Sequence, residues 1–158
     1  MTVHDIMTTP ALTCHPETSL AVAARMMRDE DYGTLPVTDR TGRLVGIITD
    51  RDICLMLAGT NRNALNIAVH EAMTPDVISV SADDSAHAAL ACMKKGRVRR
   101  LPVRDETGHL AGIVSIEDVV LRGIERGGVD AGEIVSTLRA LYVRVPVEAN
   151  PQTDFTPG

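Results

Sequence analysis

Two hydrophobic rhythms alternate along this chain, and the whole pattern runs twice. Leu20, Ala23, Ala24 and Met27 recur at helical spacing, which predicts a helix over 18–28 with Thr18 or Ser19 able to cap it. Ala86, Ala89, Leu90 and Met93 repeat that spacing and predict a second helix over 84–95. After each helix comes a short apolar strand carrying a proline, 34–38 and 100–104. The polar turns Asp39-Arg40-Thr41-Gly42 and Asp105-Glu106-Thr107-Gly108 then close hairpins with strands 43–48 and 109–114. Helices follow from Asp50 and from Ile116. Residues 11–14 and 77–80 are β-prone and each follows a Met-Thr turn, so each copy reads β-α-β-β-α.

The repeat keeps its register without a gap for almost fifty residues at an offset of 66 positions. Met7-Thr8 meets Met73-Thr74, Leu35-Pro36-Val37 meets Leu101-Pro102-Val103, and Gly46-Ile47 meets Gly112-Ile113. Two copies point to a pseudo-two-fold pair and not to a solenoid. The expected division is a first repeat over 1–60, a linker over 61–66 and a second repeat over 67–126. A C-terminal helical segment over 127–145, centred on 133–142, and a mobile tail over 146–158 complete the chain.

Candidate chemistry gathers where each hairpin ends. Gly46-Ile47-Ile48-Thr49-Asp50-Arg51-Asp52 and Gly112-Ile113-Val114-Ser115-Ile116-Glu117-Asp118 are strands that stop at a hydroxyl residue and turn into a helix. That geometry brings free backbone N–H groups, a hydroxyl and a carboxylate together, which suits a ribose hydroxyl pair and a phosphate. The same residues are also good helix N-caps with an acidic group in the first turn, a role that needs no ligand.

These motifs, with Met73-Thr74-Pro75, Leu35-Pro36-Val37-Thr38-Asp39 and Leu101-Pro102-Val103-Arg104-Asp105, resemble a CBS-domain pair, the regulatory module named after cystathionine β-synthase. The resemblance covers roughly 3–125. It implies an α+β fold in which two repeats pack through their sheets and leave two clefts, each suited to an adenosyl ligand. By that resemblance, cleft one uses Thr49, Arg51 and Asp52 with Val77, Ile78, Arg99 and Arg100. Cleft two uses Ser115 and Asp118 with Ala11, Leu12, Tyr32 and Thr34. The implied ligand is an adenine nucleotide (AMP, ADP or ATP) held as a regulatory signal of energy or stress status. The alternatives are an S-adenosylmethionine- or NAD-type ligand, or an interaction dimer whose clefts stay empty. The implied partners are a second copy of the chain and a downstream protein.

Charge makes the two clefts unequal. Arg99, Arg100 and Arg51 stand where the other copy has Gly33, Thr34 and Glu117. Charge-assisted bonds to phosphate are about twice as strong as neutral ones. Cleft one should therefore favour a di- or triphosphate, and cleft two a less charged adenosyl group or none.

Composition narrows the remaining classes. The net charge of −5 gives no global positive field for nucleic acid. No apolar run is long enough to span a membrane, and the N-terminus lacks the pattern of a signal peptide. Cys14, Cys54 and Cys92 are too widely spaced for a disulfide framework or a metal knuckle and read as free thiols in the cytoplasm. The five histidines share no ligand spacing, and no nucleophile–base pair or carboxylate dyad shows itself, so neither a metal centre nor an enzyme is expected. Aromatics make up only 2%, so the core must come from aliphatic residues.

Overall fold

The computed structural model describes residues 1–124 and 128–143. Helix α1 (Leu20–Asp29) starts at Ser19, whose Oγ accepts from the Val22 amide at 3.3 Å. Its counterpart α3 (Ala86–Gly96) starts at Ser85, whose Oγ accepts from Ala88 at 3.1 Å. Both helices thus begin two residues later than 18 and 84, because a serine oxygen stands in for the missing amide acceptor at the first turn. The hairpins are β1 (Thr34–Thr38) with β2 (Leu44–Thr49), and β4 (Arg100–Arg104) with β5 (Leu110–Ser115). Their registers match, Thr34 lying opposite Thr49 and Arg100 opposite Ser115.

The strands expected over 11–14 and 77–80 are cut short. In the first copy only Cys14 pairs, next to Val37, and in the second the strand β3 is just Val80–Ser81 beside β4. The reason is Pro36 and Pro102. In a parallel ladder the next carbonyl outward, at Leu12 or Ile78, would need the proline N–H, which does not exist. The residues before Cys14 and Val80 are therefore released from the sheet.

Helix α2 (Asp50–Gly59) runs as one α-helix, whereas α4 (Ile116–Asp118) passes at once into a π-helical turn, Val119–Gly123. Beyond it, α5 (Ala131–Tyr142) lies against α3, held by Lys94 Nζ donating to Ser136 Oγ at 3.0 Å and by His87 beside Glu133 at 2.6 Å. The tail expected over 146–158 lies outside the described residues.

Two aliphatic cores form, one per repeat, and each takes in a piece of chain that precedes the other. Val3 and Ile6 are fully buried with Leu90, Leu101 and Val114, while Ile67 and Val69 are fully buried with Leu20, Leu35 and Ile48. Main-chain bonds fix the exchange: Val3 N donates to Asp84 O at 2.8 Å and Leu20 N to Ile67 O at 2.9 Å.

The Met-Thr segments then cross the opposite hairpin. Thr74 and Ile47 exchange bonds of 2.8 and 2.9 Å, and Thr8 and Ile113 exchange bonds of 2.8 and 3.0 Å. This crossing explains the motif glycines. A Cβ on Gly112 would lie 2.8 Å from the Thr8 carbonyl oxygen, and one on Gly46 would lie 2.5 Å from Met73 Sδ. The hairpin tips also join, with Leu44 N donating to Gly108 O and Leu110 N to Gly42 O.

Candidate functional site

Where β2 ends, Thr49 has extended backbone and caps α2. Asp52 Oδ2 accepts from Thr49 N at 2.8 Å and from Thr49 Oγ1 at 2.7 Å, and Asp52 N donates back to Thr49 Oγ1 at 3.2 Å. Ser115 and Asp118 form the same reciprocal cap, with bonds of 2.9, 2.5 and 3.1 Å. The capping role read from the sequence is therefore fully made in both copies. In each copy one carboxylate oxygen completes the cap while the other stands outside it.

Those outer oxygens differ. Arg122 Nη1 lies 3.5 Å from Asp118 Oδ1 and donates to Ile6 O at 2.6 Å, so one guanidinium ties the motif aspartate to the N-terminal arm. The equivalent residue in the first copy is Met56, and among the described residues no hydrogen bond reaches Asp52 Oδ1.

Each motif opens onto a cleft bounded by both repeats. Cleft one, about 610 Å³, is lined by Thr49, Arg51, Asp52, Val77, Ile78, Arg99 and Arg100, all seven residues expected there. Cleft two, about 190 Å³, is lined by Ser115, Asp118, Leu12, Tyr32 and Thr34 as expected, while Ala11 is not among its lining residues.

The two linings are related by the repeat. Thr8, Leu12, Tyr32, Ile113, Ser115, Glu117 and Asp118 of cleft two correspond to Thr74, Ile78, Val98, Ile47, Thr49, Arg51 and Asp52 of cleft one. The sequence reading passed over the Met-Thr threonines and the motif isoleucines as site residues. Their signal was present: each recurs at the same offset, and each isoleucine directly follows a motif glycine.

Arg97 was also missed as a lining residue of cleft one. It ends α3 in the left-handed region, φ 53°, and one of its guanidinium nitrogens donates to the Val143 carbonyl after α5. Cleft one thus carries Arg51, Arg97, Arg99 and Arg100 against Asp50, Asp52 and Asp76, whereas cleft two carries Arg100 against Glu117 and Asp118. The charge asymmetry expected from sequence is present in the lining and is larger by one arginine.

No group of three His, Cys, Asp or Glu side chains is placed to hold a metal among the described residues, and no helix is long and apolar enough to cross a membrane. The three thiols are free, and burial pushes that of Cys14 up to about 11, which leaves it protonated and inert.

The family model for the CBS domain matches this chain twice, over residues 3–59 and 69–124. The chain belongs to the CBS-domain family. It is 34% identical over 145 residues to an uncharacterized 17.7 kDa protein of Acidianus ambivalens, covering 92% of this chain and 87% of that one. Several other matched relatives are longer enzymes, of which the chain spans only 22–24%. Among solved structures it superposes on the CBS domain pair of protein MJ0100, in complex with 5′-methylthioadenosine and S-adenosyl-L-methionine. That match has a TM-score of 0.70 and 31% identity, covering 80% of this chain and 97% of the other. It also superposes on CBSX2 of Arabidopsis thaliana in complex with AMP, with a TM-score of 0.69 and 27% identity, covering 80% and 98%.

Proposed function

We propose that this chain is a regulatory module that binds an adenine nucleotide in cleft one and reports energy or stress status to a partner protein in the cytoplasm. One observation carries the reading. Asp52, with one carboxylate oxygen outside its cap, lines a 610 Å³ cleft that also holds four arginines. A ribose diol can donate to that oxygen without breaking the cap, and phosphates can reach Arg51, Arg99 or Arg100. The released segment at Val77 and Ile78 offers main-chain groups and an apolar wall to the base. The adenosyl complexes of MJ0100 and CBSX2 support the ligand class, with AMP, ADP or ATP in cleft one. Cleft two, smaller and more acidic, suits an adenosyl group with less negative charge, of the S-adenosylmethionine type.

Calorimetric titration with ATP tests this on Asp52→Asn and Asp118→Asn. Losing a charged acceptor costs on the order of 1.5–3 kcal/mol, so Asp52→Asn should weaken ATP about tenfold or more with almost unchanged melting of the free protein. Asp118→Asn should weaken it less. ATP binding to both variants as to the parent would reduce the motif to a pair of caps.

A second reading, an interaction dimer with empty clefts, is favoured by the completeness of both caps without any ligand. Both readings share a homodimer built on the motif helices. Leu55 and Leu121 are equivalent in the repeat and are 58% and 66% exposed, an apolar pair on the two motif helices for a second copy to cover. Light scattering should return about twice the chain mass of 17.0 kDa. A monomer at micromolar concentration would remove the dimer from both.

A further inference from the structure

The two clefts share two lining residues, Thr34 and Arg100. Each is the first residue of its central strand, β1 or β4, and they are equivalent in the repeat, so they mark where the pseudo-two-fold axis passes between the clefts. At this position the symmetry is broken, by a hydroxyl on one side and a guanidinium on the other.

Arg100 is mostly enclosed, with 21% of its side chain exposed, and its Nη2 lies 3.8 Å from Glu117 Oε1. That is an ion pair without a hydrogen bond, since N–H···O bonds run to about 3.2 Å. Glu117 lines cleft two. Among the lining residues of cleft two, Arg100 is the one cation, whereas cleft one holds Arg51, Arg97 and Arg99 besides it.

We infer that Arg100 is a switchable ligand shared by the two clefts, so that a phosphorylated nucleotide in cleft one sets the ligand class accepted by cleft two. This rests on the adenosyl reading of the clefts. A phosphate in cleft one offers Arg100 short charge-assisted bonds in place of the loose pair with Glu117. Once Arg100 turns to it, Glu117 loses its counter-charge and cleft two has no lining cation, while Asp118 keeps Arg122 at 3.5 Å. A second phosphorylated nucleotide is then repelled. An adenosyl ligand carrying a positive sulfonium or amine group is favoured, because Glu117 needs a new counter-charge. By linkage the cationic ligand strengthens nucleotide binding by the same factor. The chain would then respond to a pair of ligands of opposite charge and not to the total of either.

The experiment is equilibrium titration of the full chain with ATP, with S-adenosylmethionine, and with each in the presence of the other. ATP should fill one site per chain, with any second site at least about tenfold weaker, and saturating ATP should tighten S-adenosylmethionine by about fivefold or more. Arg100→Gln should weaken ATP and make the affinity of S-adenosylmethionine independent of ATP. Glu117→Gln, at a half-exposed position, should strengthen ATP and abolish the tightening. Two ATP sites of equal affinity overturn the inference while leaving the adenosyl reading intact. So does S-adenosylmethionine that binds equally with and without ATP, or not at all beside bound ATP. Absence of ATP binding overturns the inference, and absence of binding by ATP and S-adenosylmethionine alike overturns the adenosyl reading as well.

Discussion

The two repeats have the same register, the same caps and the same turns, yet one keeps its motif aspartate open and the other ties it down. Met56 in the first repeat offers Asp52 Oδ1 no partner, while Arg122 in the second stands 3.5 Å from Asp118 Oδ1 and grips the N-terminal arm. The helix that carries Arg122 widens into a π turn within the same stretch, Val119–Gly123. Around this difference the charges diverge as well: Asp31, Gly33 and Thr34 of the first repeat become Arg97, Arg99 and Arg100 of the second. Fold and site are thus separable in one molecule. The positions that hold the hairpins and caps are kept between repeats, and the charged positions around the clefts are not.

The largest expected difference between the repeats lies in the motif glycines. Overpacking of a tight contact costs about 1–3 kcal/mol. A methyl on Gly112 meets the Thr8 main-chain oxygen at 2.8 Å, whereas one on Gly46 meets the Met73 side chain, which can rotate away. Gly112→Ala should therefore lose about 2–3 kcal/mol in urea unfolding and Gly46→Ala about 1 kcal/mol or less. Equal losses would mean that the crossing segments give way together.

A smaller difference sits at the left-handed residues that end the first helix of each repeat, Asp31 at φ 56° and Arg97 at φ 53°. Left-handed backbone costs a residue with a long side chain about 1 kcal/mol, and aspartate less. Arg97→Gly should thus raise the melting temperature while weakening ATP at cleft one, and Asp31→Gly should change either quantity less. A fall in stability for Arg97→Gly would show that its bond to the Val143 carbonyl outweighs the backbone cost.

At the hairpin turns the repeats should behave alike. Asp39 Oδ1 accepts from Thr41 Oγ1 at 2.7 Å, from Thr41 N at 2.8 Å and from Arg43 N at 3.0 Å, and Asp105 does the same for Thr107 and His109. Bonds from the threonine hydroxyls, above all, hold both carboxyls below the usual aspartate range. A lowered folded value means stability that is present above the unfolded value of about 3.9 and lost as pH falls through the folded one. Asp39→Asn and Asp105→Asn should each flatten the acid side of the stability curve by a similar, small amount. A much larger effect of one would break the equivalence of the turns.

Much of this architecture was legible because the repeat compares the sequence with itself. Strands 34–38 and 100–104 fall where the apolar runs placed them, and twelve of the thirteen expected site residues line the clefts. Ala11 is not among the lining residues of cleft two, although its equivalent Val77 lines cleft one. The short β3 failed because β-prone composition says nothing about whether a neighbouring proline can donate. The role of Arg122 was hidden for another reason: its partners Ile6 and Met7 lie more than a hundred positions away, and no periodicity links them. The sharing of Arg100 is a property of the axis between the repeats and cannot be read from either alone.

The exchanged arms also govern the order in which the chain can fold. Val3, made among the first residues, donates to Asp84, so its place in a core does not exist until the second repeat has been synthesised. Closing that loop is an entropic cost that local helix formation cannot offset early. The first repeat in turn waits for Ile67 and Val69 before its own core is closed. A nascent chain halted before residue 67 therefore exposes apolar surface on both its arm and its incomplete core. Completion is cooperative across the whole pair, and a cut between the repeats would leave each half lacking a strap carried by the other.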